Sequence, residues 1–356
     1  MQTSTIPILP RMPEGGGMDT TLRRFALFIA VFFSWACSSA QTTHGVVPAS
    51  ASQLAGGTAE ATSPAASWSQ FMSQLDEAGP IDLQKHVAAD WVIPRSGLIN
   101  LDHPTAEAAR LRDEPEAIQI YFYVLEHPKY GGYLIDSGVA SAFRNKKDAP
   151  LRFPLKSFVP FDELYIRLDM KSYLAQRTTP VRGVLLTHLH LDHIMGLSDI
   201  PKDVPLYVGP GEAEDSRFTH LFARPTTNLN LAGFGPLREL RVRKETEAPF
   251  SYVDLFGDSS ALALHAPGHT DGNMAFLLRT TQGPVLIAGD CSHTAWGWEH
   301  SVEPGTFNTS MEQAASSLDR LKAFAQANPT VRVHLGHQPL AHQQDRSVEQ
   351  IAQRVD

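Results

Sequence analysis

The run Thr187-His-Leu-His-Leu-Asp-His193 follows directly on the apolar segment Val181-Arg-Gly-Val-Leu-Leu186, and this junction constrains the fold more than any other feature of the chain. The apolar segment reads as a buried strand. Alternate strand residues share a face, so His188 and His190 can point at the same ion. Asp192 and His193 fall where the chain turns into a helix, and they face a neighbouring point. Imidazole and carboxylate are the side chains that hold a borderline cation such as zinc. The spacing therefore suggests two metals side by side at the mouth of one strand.

Further donors lie downstream. Ala263-Leu-His-Ala-Pro-Gly-His-Thr-Asp-Gly-Asn273 places His269 after a Pro-Gly turn. Pro284-Val-Leu-Ile-Ala-Gly-Asp290 is a short apolar strand ending in Gly and a carboxylate, and Val331-Arg-Val-His-Leu-Gly-His337 is another strand followed by Gly-His. Each candidate ligand follows an apolar strand or a Gly turn, where α/β sheets present functional groups.

With Leu134-Ile-Asp-Ser-Gly138 these segments make five motifs, covering about Ile118 to His337, and in this order the chain resembles the metallo-β-lactamase-fold hydrolases. The resemblance implies an α/β fold class, a four-layer αββα sandwich with the site at one edge of its two sheets. It implies that His188, His190 and His269 hold a first metal, that Asp192, His193 and His337 hold a second, and that Asp290 bridges both. Asp136 would fix ligand geometry through hydrogen bonds. The cofactors implied are two divalent metal ions, with zinc expected, whose shared water becomes hydroxide near neutral pH while the ions polarise the substrate. Asp192, Asp290 and His293 are the residues expected to carry catalysis.

Several neighbours have a second reading. His334 precedes Gly336-His337 by two residues, but the family pattern puts the ligand after the glycine. His265 reads as structural, and His44, His86, His103, His127, His220, His300 and His342 have no partner motif. His293 lies three residues after Asp290, where lactonase-like relatives have a tyrosine that assists the substrate carbonyl. A histidine there can donate a hydrogen bond or protonate a leaving group; the alternative is a histidine at the surface or behind a ligand. The chain departs from the family pattern at Asn273, where many relatives have a further histidine, and at Asp192-His-Ile-Met-Gly196. Neither departure removes an expected ligand.

The resemblance narrows the chemistry. True metallo-β-lactamases carry cysteine or serine where Asp290 stands, and flavin-coupled diiron reductases carry glutamate where His190 stands. A formal net charge of −8 without a basic run argues against a nucleic-acid partner. The expected activity is cleavage of an ester or lactone, with N-acyl homoserine lactones as the leading substrate. Aryl phosphotriester hydrolysis is the alternative, followed by thioester hydrolysis of the glyoxalase II type and mono-iron persulfide dioxygenation. A non-enzymatic binding module is the remaining class.

Residues 1–40 read as a signal-peptide region, with Met18 as a possible start: Thr21-Leu-Arg-Arg24 precedes the apolar run Phe25 to Ala36, and Ser38-Ser-Ala40 suits cleavage after Ala40. The run is too short for a membrane span. Export to the periplasm or medium is expected, with lipid attachment at Cys37 as the alternative. Residues 41–80 read as a disordered linker, since Gln41 to about Ser67 is Ser/Ala/Thr/Gly-rich without hydrophobic period, although Trp68 to Leu75 can open a short helix. Residues 81–356 read as the hydrolase domain. Nothing in the sequence sets its oligomeric state.

Strands are expected at Ile118–Glu126, Tyr133–Asp136, Val181–Thr187, Val204–Val208, Leu237–Val242, Ser260–His265, Met274–Leu278, Val285–Ala288 and Val331–Leu335. Helices are expected after His193, at Ser310–Ala327 with Ser310 as N-cap, and at Ser347–Arg354. The stretch Ser141 to Thr179, with Phe143, Phe153, Phe158, Phe161, Tyr165, Met170 and Tyr173, reads either as an apolar wall for substrate or as a helix with its own core residues. Trp296 and Trp298 offer a second wall or plain packing. Cys291 is not assigned as a ligand.

Overall fold

The structure is a computed structural model and describes residues 45–49, 54, 67–153, 155–157, 159–214 and 218–340. Residues 1–40, read as a signal-peptide region, Cys37 and the helix expected at Ser347–Arg354 lie outside the described residues. Strands are β1 (Val46–Ala49), β2 (Asp82–Pro94), β3 (Pro115–His127), β4 (Gly131–Ile135), β5 (Tyr165–Ile166), β6 (Val181–Leu185), β7 (Leu206–Val208), β8 (Leu237–Leu240), β9 (Ser251–Asp254), β10 (Ala261–His265), β11 (Met274–Thr280), β12 (Gly283–Gly289) and β13 (Arg332–Leu335). Helices are α1 (Trp68–Ser73), α2 (Arg95–Leu98), α3 (Pro104–Ala108), α4 (Met170–Gln176), α5 (Leu191–Ile194), α6 (Phe218–Leu231), α7 (Ala295–His300) and α8 (Met311–Ala327). The strands form an eight-stranded sheet, ordered β1-β8-β7-β6-β4-β3-β2-β5, and a five-stranded sheet, ordered β13-β12-β11-β10-β9.

The strands read as nearly continuous apolar runs because both faces of each sheet are covered. On β3, Ile118, Ile120, Phe122 and Val124 join one core while Tyr121, Tyr123 and Leu125 join another. On β11, Met274, Phe276 and Leu278 meet that second core, and Ala275 and Leu277 meet a third. The second core therefore lies between the sheets, and the other two lie on their outer faces. Helix α8 covers the outside of the five-stranded sheet: Ser310 Oγ accepts from Gln313 N–H, and Ala314, Leu318, Leu321 and Phe324 form its buried stripe. Helix α4 covers the other outer face through Met170 and Tyr173. The result is the expected four-layer αββα sandwich, in which each fully buried Leu or Phe contributes about 1.5–3 kcal/mol.

All nine expected strands are present, several shortened or extended by a few residues. The longest strand not expected is β2, whose Asp82-Leu-Gln-Lys-His-Val stretch breaks the apolar pattern; it is held by pairing along its length with β3. Helix α6 escapes sequence reading because Pro225 sits inside it. The tract read as a linker is corrected near its start, and the short helix expected from Trp68 is present as α1. Val46–Ala49 adds a parallel edge strand beside β8, and Tyr133 Oη donates to the Leu54 carbonyl. Trp68 packs on Tyr252 and Phe324, with centroids 5.7 and 5.9 Å away. The packed unit thus begins before residue 81, because a few apolar side chains in a Ser/Ala-rich tract suffice to anchor it.

In the aromatic stretch, Phe143, Met170 and Tyr173 are core residues, Phe161 packs against them, and Phe153 and Tyr165 stand in solvent at 80% and 70% exposure. Core packing thus outweighs the substrate-wall reading; Phe158 lies outside the described residues. Trp298 is buried on the outer face of the five-stranded sheet, while Trp296 is half-buried and stacks on His300 at 4.3 Å.

Candidate metal centre

Every expected ligand lies just past a strand end. After β6 the chain extends through Thr187 and His188 to His190, the residue before the single turn α5, which places Asp192 and His193. After β10, Ala266-Pro-Gly presents His269. Gly268 has φ +134°, and a Cβ there would meet the Ala314 backbone nitrogen at 2.1 Å, so only glycine fits this turn. Asp290 follows β12, and His337 follows β13 after Gly336.

These residues converge in two adjoining sets. His188, His190 and His269 form one, with Nε2 of His269 3.2 Å from His188 Nε2 and 2.8 Å from His190 Nδ1. Asp192, His193, Asp290 and His337 form the other. Asp290 Oδ2 lies between them, 3.7 Å from His188 Nε2, 3.4 Å from His269, 3.2 Å from His193 and 3.3 Å from His337. His337 Nε2 is also 3.2 Å from Asp192 Oδ2. Five of these seven residues and His293 are buried; His190 and the Asp192 side chain, 18% exposed, mark the solvent side.

His293 belongs to this centre. It is buried, its Nε2 is 3.0 Å from Asp290 Oδ2, and with His269 and Asp290 it makes a third group with metal-ligand spacing. The surface alternative is therefore excluded. His334 points elsewhere, stacking on Tyr123, and burial pushes its imidazole down to about 3. Cys291 is buried with its thiol pushed up to about 12, by burial first and then by Asp290, and takes a hydrogen bond from Asn273 Nδ2. That bond, with a second from Asn273 to the Ala266 carbonyl, gives the departure at Asn273 a structural role. Gly196 is required by contact, since a Cβ there would meet the Ser137 carbonyl oxygen at 1.7 Å.

The outer atoms of the imidazoles decide what the inner atoms can bind. Nδ1 of His193 faces Asp136 Oδ2 at 2.8 Å, Nδ1 of His337 faces the Gln119 carbonyl at 2.9 Å, and Nδ1 of His293 faces the Leu98 carbonyl at 3.2 Å. Each outer partner is an acceptor, so each Nδ1 carries a proton. In a neutral ring Nε2 then aims a lone pair at Asp290, and a cation must stand between them, a proton or a metal ion. Asp290 Oδ1 is buried with no hydrogen-bond partner, which a bound ion would satisfy. Nitrogen ligands tetrahedrally disposed around zinc lie about 3.3 Å apart, close to the spacing of His188 and His269. The residues present fit two divalent ions.

Without ions, protons take their place. Burial pushes His193 and His337 down, but Asp290 and the neighbouring carboxylates outweigh it, holding His193 well above its ordinary range and His337 at about 10. Burial pushes Asp192 and Asp290 up, and the imidazolium charges bring both well below the carboxylate range. His269 is pushed down to about 3 by burial. Raised values mean that His193 and His337 are protonated at pH 7 and must lose those protons to an ion. Zinc uptake by metal-free protein in weak buffer is expected to release at least about two protons, and apparent affinity to climb about a hundredfold per pH unit from pH 6 to 8. Uptake without proton release would contradict the carboxylate pairing.

Of the groups behind the ligands, sequence reading anticipates Asp136 and misses Asn308 and Glu212. Asn308 Oδ1 accepts from His269 Nδ1–H at 3.0 Å. Asp136, at φ +58°, accepts from Thr187 N–H at 2.8 Å as well as from His193. Glu212, buried behind the first set, carried no sequence motif; its place after β7 and a Gly-Pro-Gly turn is the one local signal.

Comparison with known proteins agrees with this architecture. The profile described as the metallo-beta-lactamase superfamily matches residues 116–337. The N-acyl homoserine lactonase AttM of Agrobacterium fabrum is 27% identical over 230 residues, which cover 62% of this chain and 82% of that protein. The cytochrome P450 monooxygenase mpaDE of Penicillium roqueforti is 37% identical over 134 residues, 35% of this chain, but the chain spans only 16% of its length. A solved quorum-quenching N-acyl homoserine lactone lactonase superposes with a TM-score of 0.54 at 18% identity, covering 76% of this chain and 96% of that one.

Proposed function

The chain belongs to the metallo-beta-lactamase superfamily, and from that premise we propose that it is an exported dinuclear-metal hydrolase that opens a lactone, with N-acyl homoserine lactones as the leading substrate class. The observation that carries hydrolysis is the buried carboxylate oxygen of Asp290, faced by Nε2 of His188, His193, His269, His293 and His337. The likeness to AttM over 82% of that lactonase supports the lactone class.

Two bound ions would supply an activated water and polarise the ester carbonyl. The chain's own residues do the rest. His188, His190 and His269 would hold one ion, Asp192, His193 and His337 the other, and Asp290 both. Asp136 keeps the His193 ring turned inward. His190 and Asp192 mark the side from which substrate enters. His293 is the residue that touches the reaction without being needed to hold an ion. With Nδ1 committed to the Leu98 carbonyl, its Nε2 is the atom that can pass a proton to the leaving oxygen.

His293→Ala is expected to lower kcat about a hundredfold while both ions stay bound. Loss of an ion would make His293 a ligand, and unchanged kcat would remove it from the reaction.

Export rests on the Arg23-Arg24 pair, the apolar run to Ala36 and the small residues at Ser38-Ser-Ala40. A cut after Ala40 leaves β1 whole. The N-terminal residue of protein recovered from the periplasm or medium tests this reading, and a mature chain still beginning at Met1 or Met18 would overturn it.

The activity is tested in a pH-stat with zinc-loaded mature protein and a long-chain N-acyl homoserine lactone. Fast, chelator-sensitive acid release is expected. No release from protein holding two ions would remove this substrate class and bring aryl phosphotriesters forward.

A further inference from the structure

We infer that Glu212 is a positioning residue that clamps the three-histidine set, and so sets the affinity of one ion without touching it. This inference rests on the dinuclear reading above.

Glu212 is 2% exposed and joins two loops that are far apart in sequence. Its Oε1 accepts from Leu189 N–H at 2.6 Å. Its Oε2 accepts from Thr270 Oγ1–H at 2.6 Å and from Gly272 N–H at 3.1 Å. Leu189 lies between His188 and His190, and Thr270 follows His269. One carboxylate therefore fixes the backbone on which all three imidazoles of the first set are mounted.

The approach depends on glycine at two places. A Cβ on Gly209 would meet the Gly272 carbonyl oxygen at 1.9 Å, and a Cβ on Gly272 would meet Glu212 Cβ at 2.5 Å. Both loops are bare enough there for Glu212 to reach between them. Asp136 plays the matching part for the second set, accepting from Thr187 N–H and His193 Nδ1–H. Each set thus has one buried carboxylate behind it, and the two clamps share no ligand loop but the one from Thr187 to His193.

A carboxylate accepts at both oxygens, whereas a glutamine turns one of them into an N–H donor that opposes either Leu189 N–H or the Thr270–Gly272 pair. Glu212→Gln therefore breaks the clamp at nearly constant volume. Metal-free wild-type and variant protein are titrated with zinc against a chromophoric chelator, and with cobalt(II) to read the visible spectrum of each ion. One ion is expected to bind about 10–100-fold more weakly, and the other unchanged. The weakened ion must be the one lost in His190→Ala, since His190 belongs to the first set alone. Excess zinc should restore kcat.

Unchanged affinity for both ions, or equal weakening of both, overturns the inference, because a merely structural role would not distinguish the two sets. If Glu212→Gln does not fold, Thr270→Val removes one of the three bonds and should weaken the same ion to a smaller degree; no weakening, or weakening of both ions, overturns the clamp. Wild-type protein that takes up fewer than two ions would defeat the dinuclear reading. The clamp is then judged by the ratio of variant to wild-type affinity for the ion that remains.

Discussion

Asp290→Asn is expected to lower hydrolysis at least about a hundredfold and to reduce metal occupancy, because the one group facing both ligand sets loses its charge. The asparagine keeps the volume and the turn after β12, so the loss is electrostatic. Two effects act together. An amide would not offset the charge of two divalent ions bound among these buried imidazoles. In the metal-free protein, His193 and His337 lose a carboxylate that holds their protons. Removing one partner from a buried charged cluster costs about 3–5 kcal/mol. Metal analysis beside turnover separates the outcomes, and near-normal turnover with full occupancy would end the bridging assignment.

Gly336→Ala is expected to be comparably severe, although it changes no ligand. A Cβ at Gly336 would lie 2.1 Å from Asp290 Oδ1 and 3.1 Å from the Gly289 carbonyl oxygen. The carboxylate cannot yield without leaving the imidazoles that surround Oδ2, and residue 336 is fixed by its N–H donating to the Ser292 carbonyl at 3.0 Å. The substitution should therefore turn Asp290 out of line and cost at least about a hundredfold in kcat with a zinc deficit, at nearly normal secondary structure. Circular dichroism and metal content read the two parts separately. Wild-type activity in this variant would mean that the carboxylate has room to move, and that its position is not what the reaction needs.

The seven side chains that converge here were legible because their chemistry is local. A metal-binding strand end needs His or Asp within a few residues of an apolar run, and the runs at Val181–Leu186, Val285–Ala288 and Val331–Leu335 announce themselves by composition. Alternate burial of β3 and β11 explains why such runs are continuous, since each face meets a different core. Strand β2 was illegible for the opposite reason: its polar residues are tolerated only because β3 pairs along its length. The aromatic stretch from Ser141 to Thr179 carried two readings, because composition does not say which side of a wall an aromatic ring faces. Phe143 and Tyr173 went inward, and Phe153 went out.

The sequence by itself determined which side chains could bind metal and at which strand ends they would stand, because ligand type and strand period are written within short segments. Only the tertiary structure decided that His293 turns inward onto Asp290, that a Leu98 carbonyl orients it across 195 residues of chain, and that Glu212 reaches Leu189 and Thr270. Those groups carry no motif, since a carbonyl or a lone glutamate acquires its role from what packing brings within hydrogen-bond reach. Contacts between residues distant in sequence exist only once the sheets have closed on their shared core.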